Sequence, residues 1–167
     1  MADPAPARWY AVRTRARHEK KVHAALLERG IESFLPLWER WSRWKDRSKK
    51  IQVPLFPGYG FVRMDLAARL AVLRLPGVAG FVGSADGPVP VMEVEIDALR
   101  TLVAGPLHYD PHPFLAEGME VEVRRGPLAG VRGRLLRKDR SARLVISVTL
   151  IRQAVAVEID AADVAPV

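Results

Sequence analysis

The chain contains no cysteine among its 167 residues, which excludes disulfides, thiol nucleophiles and thiolate metal ligands. It also lacks any uncharged apolar run of about 18 residues, so no segment is expected to span a membrane. The first eight residues are rich in alanine and proline and have no apolar core, so we expect no export signal. Together these absences predict a protein of the reducing cytoplasm.

Recognisable catalytic motifs are absent as well. The sequence has no Gly-x-Ser-x-Gly elbow, no Walker-type loop and no carboxylate pair in a recognisable context. His108 and His112 are four residues apart, but they lie in a proline-rich segment that enforces no common face, and Asp110 alone is a poor third ligand. We therefore expect no enzymatic activity, no cofactor and no metal site.

Positive charge is concentrated in the first third of the chain. Residues 1–58 contain 13 Lys/Arg and 6 Asp/Glu, a surplus that equals the net charge of +7 of the whole protein. A local basic field attracts polyanions such as nucleic acid. The alternative is a solvated basic surface without a partner.

Residues 8–104 combine strand and helix patterns. Aromatic and β-branched runs predict strands, and apolar residues at helical spacing predict helices. The segment Glu39–Lys50 is polar and basic, so it is expected to form a charged loop between two strands of a hairpin. The predicted strands are Trp9–Val12, Ile31–Trp38, Ile51–Val53 continuing into residues 55–62, and Val78–Val82; the predicted helices are Arg17–Arg29, Leu66–Leu75 and Val94–Val103.

A proline-rich segment separates this part from a second pattern. Residues 105–117 contain Pro106, Pro111 and Pro113, a density that stops regular structure and makes a semi-stiff linker. In residues 118–167 apolar side chains alternate with polar or smaller ones in short runs, which predicts a small β-barrel.

Four stretches in this order carry a family resemblance. They are Trp9-Tyr10, "LFPGYGFV" at 55–62, "LRLPGVAGFVG" at 73–83 and "GMEVEVRRGPLAGVRGRLLR" at 118–137. They resemble NusG-type transcription elongation factors, which join an NGN domain to a KOW domain. The resemblance implies the fold class α+β: an N-terminal NGN domain with an antiparallel sheet flanked by helices, linked to a small C-terminal all-β KOW barrel of the SH3-like kind. We expect a monomer whose KOW domain stays a barrel.

The resemblance also implies a docking surface for the clamp helices of RNA polymerase. Gly58 and Gly60 would let the backbone turn while aromatic rings project, and aromatic residues dominate interface energetics. The alternative is that these rings are core, above all Phe61 and Phe81. The matching positions are Trp9, Phe56, Pro57, Tyr59, Phe61 and Phe81.

Two basic segments are candidates for contact with upstream or non-template DNA. Cations bind phosphates, and aromatic residues among them can stack on unpaired bases. The alternative is that the tryptophans of "WERWSRWKDRSKK" (38–50) pack on a sheet edge and the charges are solvated. The candidate residues are Arg13, Arg15, Arg17, Lys20, Lys21, Arg40, Arg43, Trp44, Lys45 and Arg47.

The tip of the KOW domain departs from the family pattern. Where the resembled factors carry an aromatic followed by Gly-Arg, this chain has Leu150, Ile151 and Arg152 as the candidate partner contact. The smaller side chain makes contact with the termination factor Rho doubtful, whereas contact with the ribosome stays open. The change favours a specialised antiterminator of the RfaH or UpxY kind that acts on selected long operons. The alternatives are a housekeeping factor that couples polymerase to Rho or the ribosome, and a ribosome-associated RNA-binding protein.

Overall fold

The computed structural model describes residues 6–44, 47–105, 109–112, 119–138, 141–159 and 163–167. Within these ranges, no helix combines the length and the apolar character that crossing a membrane requires. In chain order the strands are β1 Arg8–Thr14, β2 Glu32–Phe34, β3 Leu37–Trp44, β4 Arg47–Pro54, β5 Tyr59–Met64, β6 Val78–Phe81, β7 Gly83–Ser84, β8 Gly87–Pro88, β9 Tyr109–His112, β10 Met119–Val123, β11 Arg132–Lys138, β12 Ser141–Val148, β13 Gln153–Ile159 and β14 Val164–Pro166; the helices are α1 Glu19–Glu28, α2 Arg69–Leu73 and α3 Glu93–Ala104.

The chain divides into two compact units, Met1–Glu93 and Val94–Val167. This division groups nearly all of α3 with the second unit, whereas the sequence analysis places the boundary after residue 104. Residues 106–108 and 113–117 of the predicted linker lie outside the described residues. The division into residues 8–104, 105–117 and 118–167 therefore stays a prediction.

The first unit contains a four-stranded antiparallel sheet in the order β2-β5-β1-β6. Strand β1 is central, because it pairs with β5 on one side and with β6 on the other. Its residues alternate between the two faces of the sheet. Tyr10 and Val12 face a core cluster that also contains Val22 and Leu26 of α1. The predicted α+β class, with a mixed N-terminal unit and an all-strand C-terminal sheet, is confirmed.

The helix predicted over Leu66–Leu75 is shorter in the structure. The carboxylate of Asp65 accepts a hydrogen bond from the amide of Ala67, and a 3₁₀ turn at Leu66–Ala68 precedes α2. Such local side-chain bonds compete with α-helical pairing.

Helix α1 is attached to β2 through His23, whose Nδ1 lies 2.7 Å from Oγ of Ser33. Burial lowers the pKa of His23, which keeps its imidazole neutral at neutral pH.

The charged segment after Trp38 is not the loop that the sequence analysis expects. Strands β3 and β4 pair along their full lengths, from Leu37 opposite Pro54 to Trp44 opposite Arg47. Only residues 45 and 46 lie between them, and these are outside the described residues. The expectation was wrong because an isolated two-stranded ribbon can expose side chains on both faces, so its strands show no apolar alternation.

The C-terminal strands form a second antiparallel sheet in the order β14-β10-β11-β12-β13-β9. Leu144, Ile146 and Val148 are buried on β12, as the alternation predicts, but Val145 is buried as well. Val145 joins Ala154 and Ala156 in a small apolar cluster of its own. Both faces of β12 are therefore covered at its centre.

Strand β9 corrects the expectation that the proline-rich segment has no regular structure. Residues 109–112 pair with β13, and Pro111 lies opposite Val155. Because β9 is at the edge of the sheet, a residue without an amide N–H is tolerated there.

The two glycines of the LFPGYGFV stretch have different roles. Gly58 lies in the turn between β4 and β5 and has φ +83. Residues that carry a side chain rarely adopt this backbone conformation. Gly60 lies within β5 opposite Val12 and has no positive φ. The expected bend of the backbone is therefore confirmed at Gly58 and wrong at Gly60.

This difference predicts opposite effects of the same substitution. Gly58→Ala should lower the free energy of unfolding by about 1 kcal/mol, because alanine is strained at positive φ. Gly60→Ala should leave stability unchanged or raise it by about 0.5 kcal/mol, because an added Cβ meets no atom within 4 Å and alanine restricts the unfolded chain. Urea unfolding followed by circular dichroism measures both, and equal losses of stability would contradict this assignment of the turn.

Candidate functional site

The aromatic rings around the LFPGYGFV stretch pack against one another. Phe34 contacts Trp9 edge-on with ring centroids 6.4 Å apart, and it stacks on Phe61 at 6.1 Å. Phe56 meets Phe61 edge-on at 6.4 Å. Such ring pairs stabilise a core by more than the burial of their apolar area alone would give. We call these four residues the ring cluster.

The ring cluster corrects the expectation that aromatic side chains project from the turn. Trp9 is 3% exposed, and Phe56 and Phe61 are each 1% exposed. A partner cannot contact these three side chains directly in this conformation. Trp9 and Phe61 pack on Phe34, and Phe56 packs on Phe61, which agrees with the alternative that these rings are core.

Three of the predicted docking residues remain accessible. Pro57 is exposed, and Tyr59 and Phe81 are half-buried. Phe81 packs edge-on against Tyr10 at 6.3 Å and borders the core cluster of α1 and α2. It therefore does not belong to the ring cluster, and the structure does not gather the predicted docking residues into one surface.

The junction between β1 and α1 is fixed to two glycine turns. The amide of Thr14 donates to the carbonyl of Gly58 at 2.8 Å, and the amide of Arg15 donates to the carbonyl of Gly77 at 2.8 Å. Oε1 of the buried Glu19 accepts from the amide of Gly58 at 3.3 Å. These bonds hold the backbone of the junction between the turns.

The same carboxylate also supports a strained residue. Arg17 has φ +66, which is rare for a residue other than glycine, and its amide donates to Oε1 of Glu19 at 3.2 Å. Left-handed residues of this kind cluster at functional sites, where the surrounding structure holds them. The side chains of Arg13, Arg15 and Arg17 are exposed at this junction.

A long-range contact connects the junction with the β3–β4 hairpin. Nζ of Lys20 donates to the carbonyl of Gln52 on β4 at 2.6 Å. Side chains of Arg43, Trp44 and Lys45 are outside the described part of the chain, although the backbone of Arg43 and Trp44 lies in β3. We call the exposed described cations of the two elements the basic surface: Arg13, Arg15, Arg17, Lys20, Lys21, Arg40, Arg47, Lys49 and Lys50.

The predicted tip of the C-terminal domain is a 3₁₀ turn at Thr149–Ile151, between β12 and β13. Ile151 is 6% exposed, so its side chain is part of the core in this conformation, and its contact with a partner stays a prediction. Leu150 is half-buried and Arg152 is exposed. Arg152 has φ +53 and its amide donates to the carbonyl of Thr149 at 3.1 Å.

Sequence reasoning missed two acidic residues that organise these turns. Glu19 contacts Gly58 across 39 positions, and Oε2 of Glu95 on α3 accepts from both the amide and the hydroxyl of Thr149 at 2.9 Å. An acid in the first turn of a helix is a recognisable signal, because it interacts favourably with the helix dipole. Neither long-range acceptor role is visible as a local pattern in the sequence.

Among the described residues no three His, Cys, Asp or Glu side chains form a cluster that could hold a metal, and His108 lies outside the described residues.

The fold and the surface together define the class of protein. It has a mixed α+β unit that exposes cations, and this unit is followed by an all-strand C-terminal sheet. A family model described as "Transcription termination factor nusG" matches residues 7–100. The curated "Transcription termination/antitermination protein NusG" of Thermus thermophilus is 30% identical over 178 residues, which cover 93% of this chain and 96% of that protein. The protein of the same name from Deinococcus radiodurans is 31% identical over 185 residues, covering 94% and 97%.

One solved structure supports the fold. It is described as "Domain interaction in Thermotoga maritima NusG" and has a TM-score of 0.58 at 24% identity, covering 96% of this chain and 97% of that one. The chain belongs to the NusG family of transcription elongation and antitermination factors. Members of this family are non-enzymatic transcription factors.

The left-handed residue at the C-terminal tip predicts a stabilising substitution. Arg152→Gly should raise the free energy of unfolding by about 0.5 to 1 kcal/mol, because glycine adopts φ +53 without a clash between Cβ and the carbonyl oxygen. Arg152→Ala removes the same guanidinium but keeps Cβ, so it should not stabilise the protein. Thermal unfolding of the three proteins measures the difference. An equal gain from alanine would show that the charge, and not the backbone, is unfavourable there.

Proposed function

We propose that this protein binds RNA polymerase and DNA during elongation and suppresses pausing or termination, in selected long operons. The observation that carries the proposal is the basic surface, whose two parts are joined by the bond between Lys20 and Gln52. The protein would act in the bacterial cytoplasm as a monomer, without nucleotide hydrolysis of its own.

Polymerase contact is assigned to the accessible side of the Gly58 turn. Pro57 and Tyr59 follow the buried Phe56, so a rigid aromatic core supports the part of the turn that a partner can reach. Preorganised contacts of this kind lose little conformational entropy on binding. The clamp helices of RNA polymerase are the proposed partner, and Trp9, Phe56 and Phe61 support the surface from within.

DNA contact is assigned to the basic surface. Its cations are carried by a helix start and a paired hairpin, so their backbone positions are defined before binding. Each phosphate that such a cation neutralises releases a counterion, which makes affinity dependent on salt. The upstream duplex or the exposed non-template strand carries the phosphates that such a surface can bind.

The C-terminal tip supports a specialised factor over a housekeeping one. Ile151 is buried and Arg152 carries a charge at the exposed end of the turn, so the tip offers little apolar area to Rho. Contact with the ribosome through Leu150 and Arg152 remains part of the proposal.

The second candidate function is that of a general elongation factor, which the names of the Thermus and Deinococcus relatives favour.

The basic surface predicts a change in salt dependence. Replacing Arg40, Arg47 and Lys49 by alanine should weaken binding to an elongation complex assembled on a nucleic-acid scaffold. The slope of log affinity against log salt should become about 2 units shallower, because about 0.7 to 0.9 is lost for each phosphate contact. The control replaces Arg8, Arg29 and Arg74, which are exposed cations outside the basic surface. If the two triple variants have the same slope, the hairpin does not contact phosphates.

A transcription assay tests the function itself. On a long template with pause sites and a Rho-dependent terminator, the wild-type protein should increase full-length transcript and should not stimulate Rho. Tyr59→Ala should lose most of this effect because it removes contact area with polymerase, whereas Leu27→Ala, at an exposed apolar position on α1, should retain it. Strong Rho-dependent truncation by the wild-type protein would support the general factor instead.

A further inference from the structure

Two serines of the described part of the chain are exposed, Ser48 and Ser84. The side chain of Ser84 is held within its own short hairpin, because its Oγ accepts a hydrogen bond from the amide of Asp86 at 3.3 Å. The hydroxyl of Ser48 makes no hydrogen bond to another described residue. Its oxygen is therefore accessible to a reagent that approaches from solvent.

Ser48 lies among the cations of the basic surface. It is the second residue of β4, between Arg47 and the pair Lys49 and Lys50, and all four residues are exposed. Successive residues of a strand point to opposite faces, so Ser48 and Lys50 share one face of the hairpin. The nearest acid along the chain is Asp46, which precedes Arg47 and lies outside the described residues. Because β4 itself contains no acidic residue, positive charge dominates around the hydroxyl.

The backbone around Ser48 is extended and lies in a sheet of only two strands. Ser48 is opposite Arg43 of β3, and among the described residues no third strand pairs with the outer side of β4. An enzyme can bind an extended segment of this kind through its backbone, while pockets for the side chains select the sequence. Cations on both sides of the serine fit a kinase whose substrate groove carries acidic groups.

We propose that Ser48 is a phosphorylation site, and that a phosphate there lowers the affinity of the basic surface for nucleic acid. This effect on affinity rests on the proposed function, whereas the modification itself does not. In the transfer, Oγ of Ser48 forms a bond to the γ-phosphorus of a nucleoside triphosphate while the bond from this phosphorus to the β,γ-bridging oxygen breaks. The nucleoside diphosphate leaves, and the hydroxyl proton passes to a carboxylate of the kinase and then to water.

The charge of the added phosphate gives the expected effect its direction. A phosphoserine carries about −1.5 to −2 charges at pH 7 and accepts strong hydrogen bonds from cations. At position 48 it competes with DNA for Lys50 on the same face and lowers the positive potential at Arg47 and Lys49. Loss of about two phosphate contacts makes the slope of log affinity against log salt about 1.4 to 1.8 units shallower.

Treatment of the full chain with ATP and the catalytic domain of protein kinase C tests the site, because this kinase selects serines flanked by Lys and Arg. Mass spectrometry of proteolytic fragments should find phosphate on Ser48 and none on Ser84, and Ser48→Ala should remove most of the incorporation. The chain isolated from its native cells should yield the same phosphopeptide. Absence of phosphate from Ser48 in either experiment, or an equal yield on Ser84, would overturn the assignment of the site.

Binding to the elongation complex tests the consequence. At about 0.1 M salt the phosphorylated chain should bind at least about tenfold more weakly than the unmodified chain, and with the shallower slope. Ser48→Glu should reproduce part of this loss, whereas Ser48→Ala and Ser84→Glu should retain the affinity of the wild-type chain. Equal or tighter binding of the phosphorylated chain would overturn the proposed effect. Binding of the unmodified chain that does not depend on salt would contradict the proposed function as well, whereas phosphate missing from Ser48 contradicts only the site.

Discussion

The carboxylate of Glu19 accepts backbone hydrogen bonds from Arg17 and Gly58, and these bonds join the start of α1 to the turn before β5. A buried carboxylate needs such donors, because an unpaired charge in the interior is costly. Its place in the first turn of α1 adds a favourable interaction with the helix dipole. The exposed arginines of the junction and the accessible Tyr59 therefore share one anchor, and both proposed contacts of the first unit depend on it.

Aromatic and apolar runs in the sequence predict β1, β5, β6, α1 and α3, but the sequence analysis expects one strand over Ile31–Trp38 where the structure has β2 and β3, and it does not predict the β7–β8 hairpin. Two further segments differ from the expectation. The β3–β4 hairpin carries charged residues on both strands, and residues 47–50 of β4 are exposed, so its composition resembles that of a loop. Strand β9 contains a proline and is extended only because β13 offers its edge, a long-range condition that local composition does not carry.

The residues of the candidate site were predictable by chemical type but not by exposure. Phe56 and Tyr59 flank the same turn, and only packing on Phe61 places one inside while the other stays half-exposed. Ile151 is likewise buried in a turn where an exposed side chain was expected. Exposure depends on which distant residues meet, and a period-based analysis sees only neighbours along the chain.

Two arginines, Arg17 and Arg152, have a left-handed backbone. Each lies in a turn between two regular elements, Arg17 within the first unit and Arg152 within the second. Glycine would suit both backbones better, so each position keeps a cation at a cost in stability. Local bonds hold each one, from the amide of Arg17 to Glu19 and from the amide of Arg152 to the carbonyl of Thr149. At the C-terminal tip this arrangement turns Ile151 inward and leaves Arg152 outside, so the exposed end of the turn presents positive charge rather than apolar area.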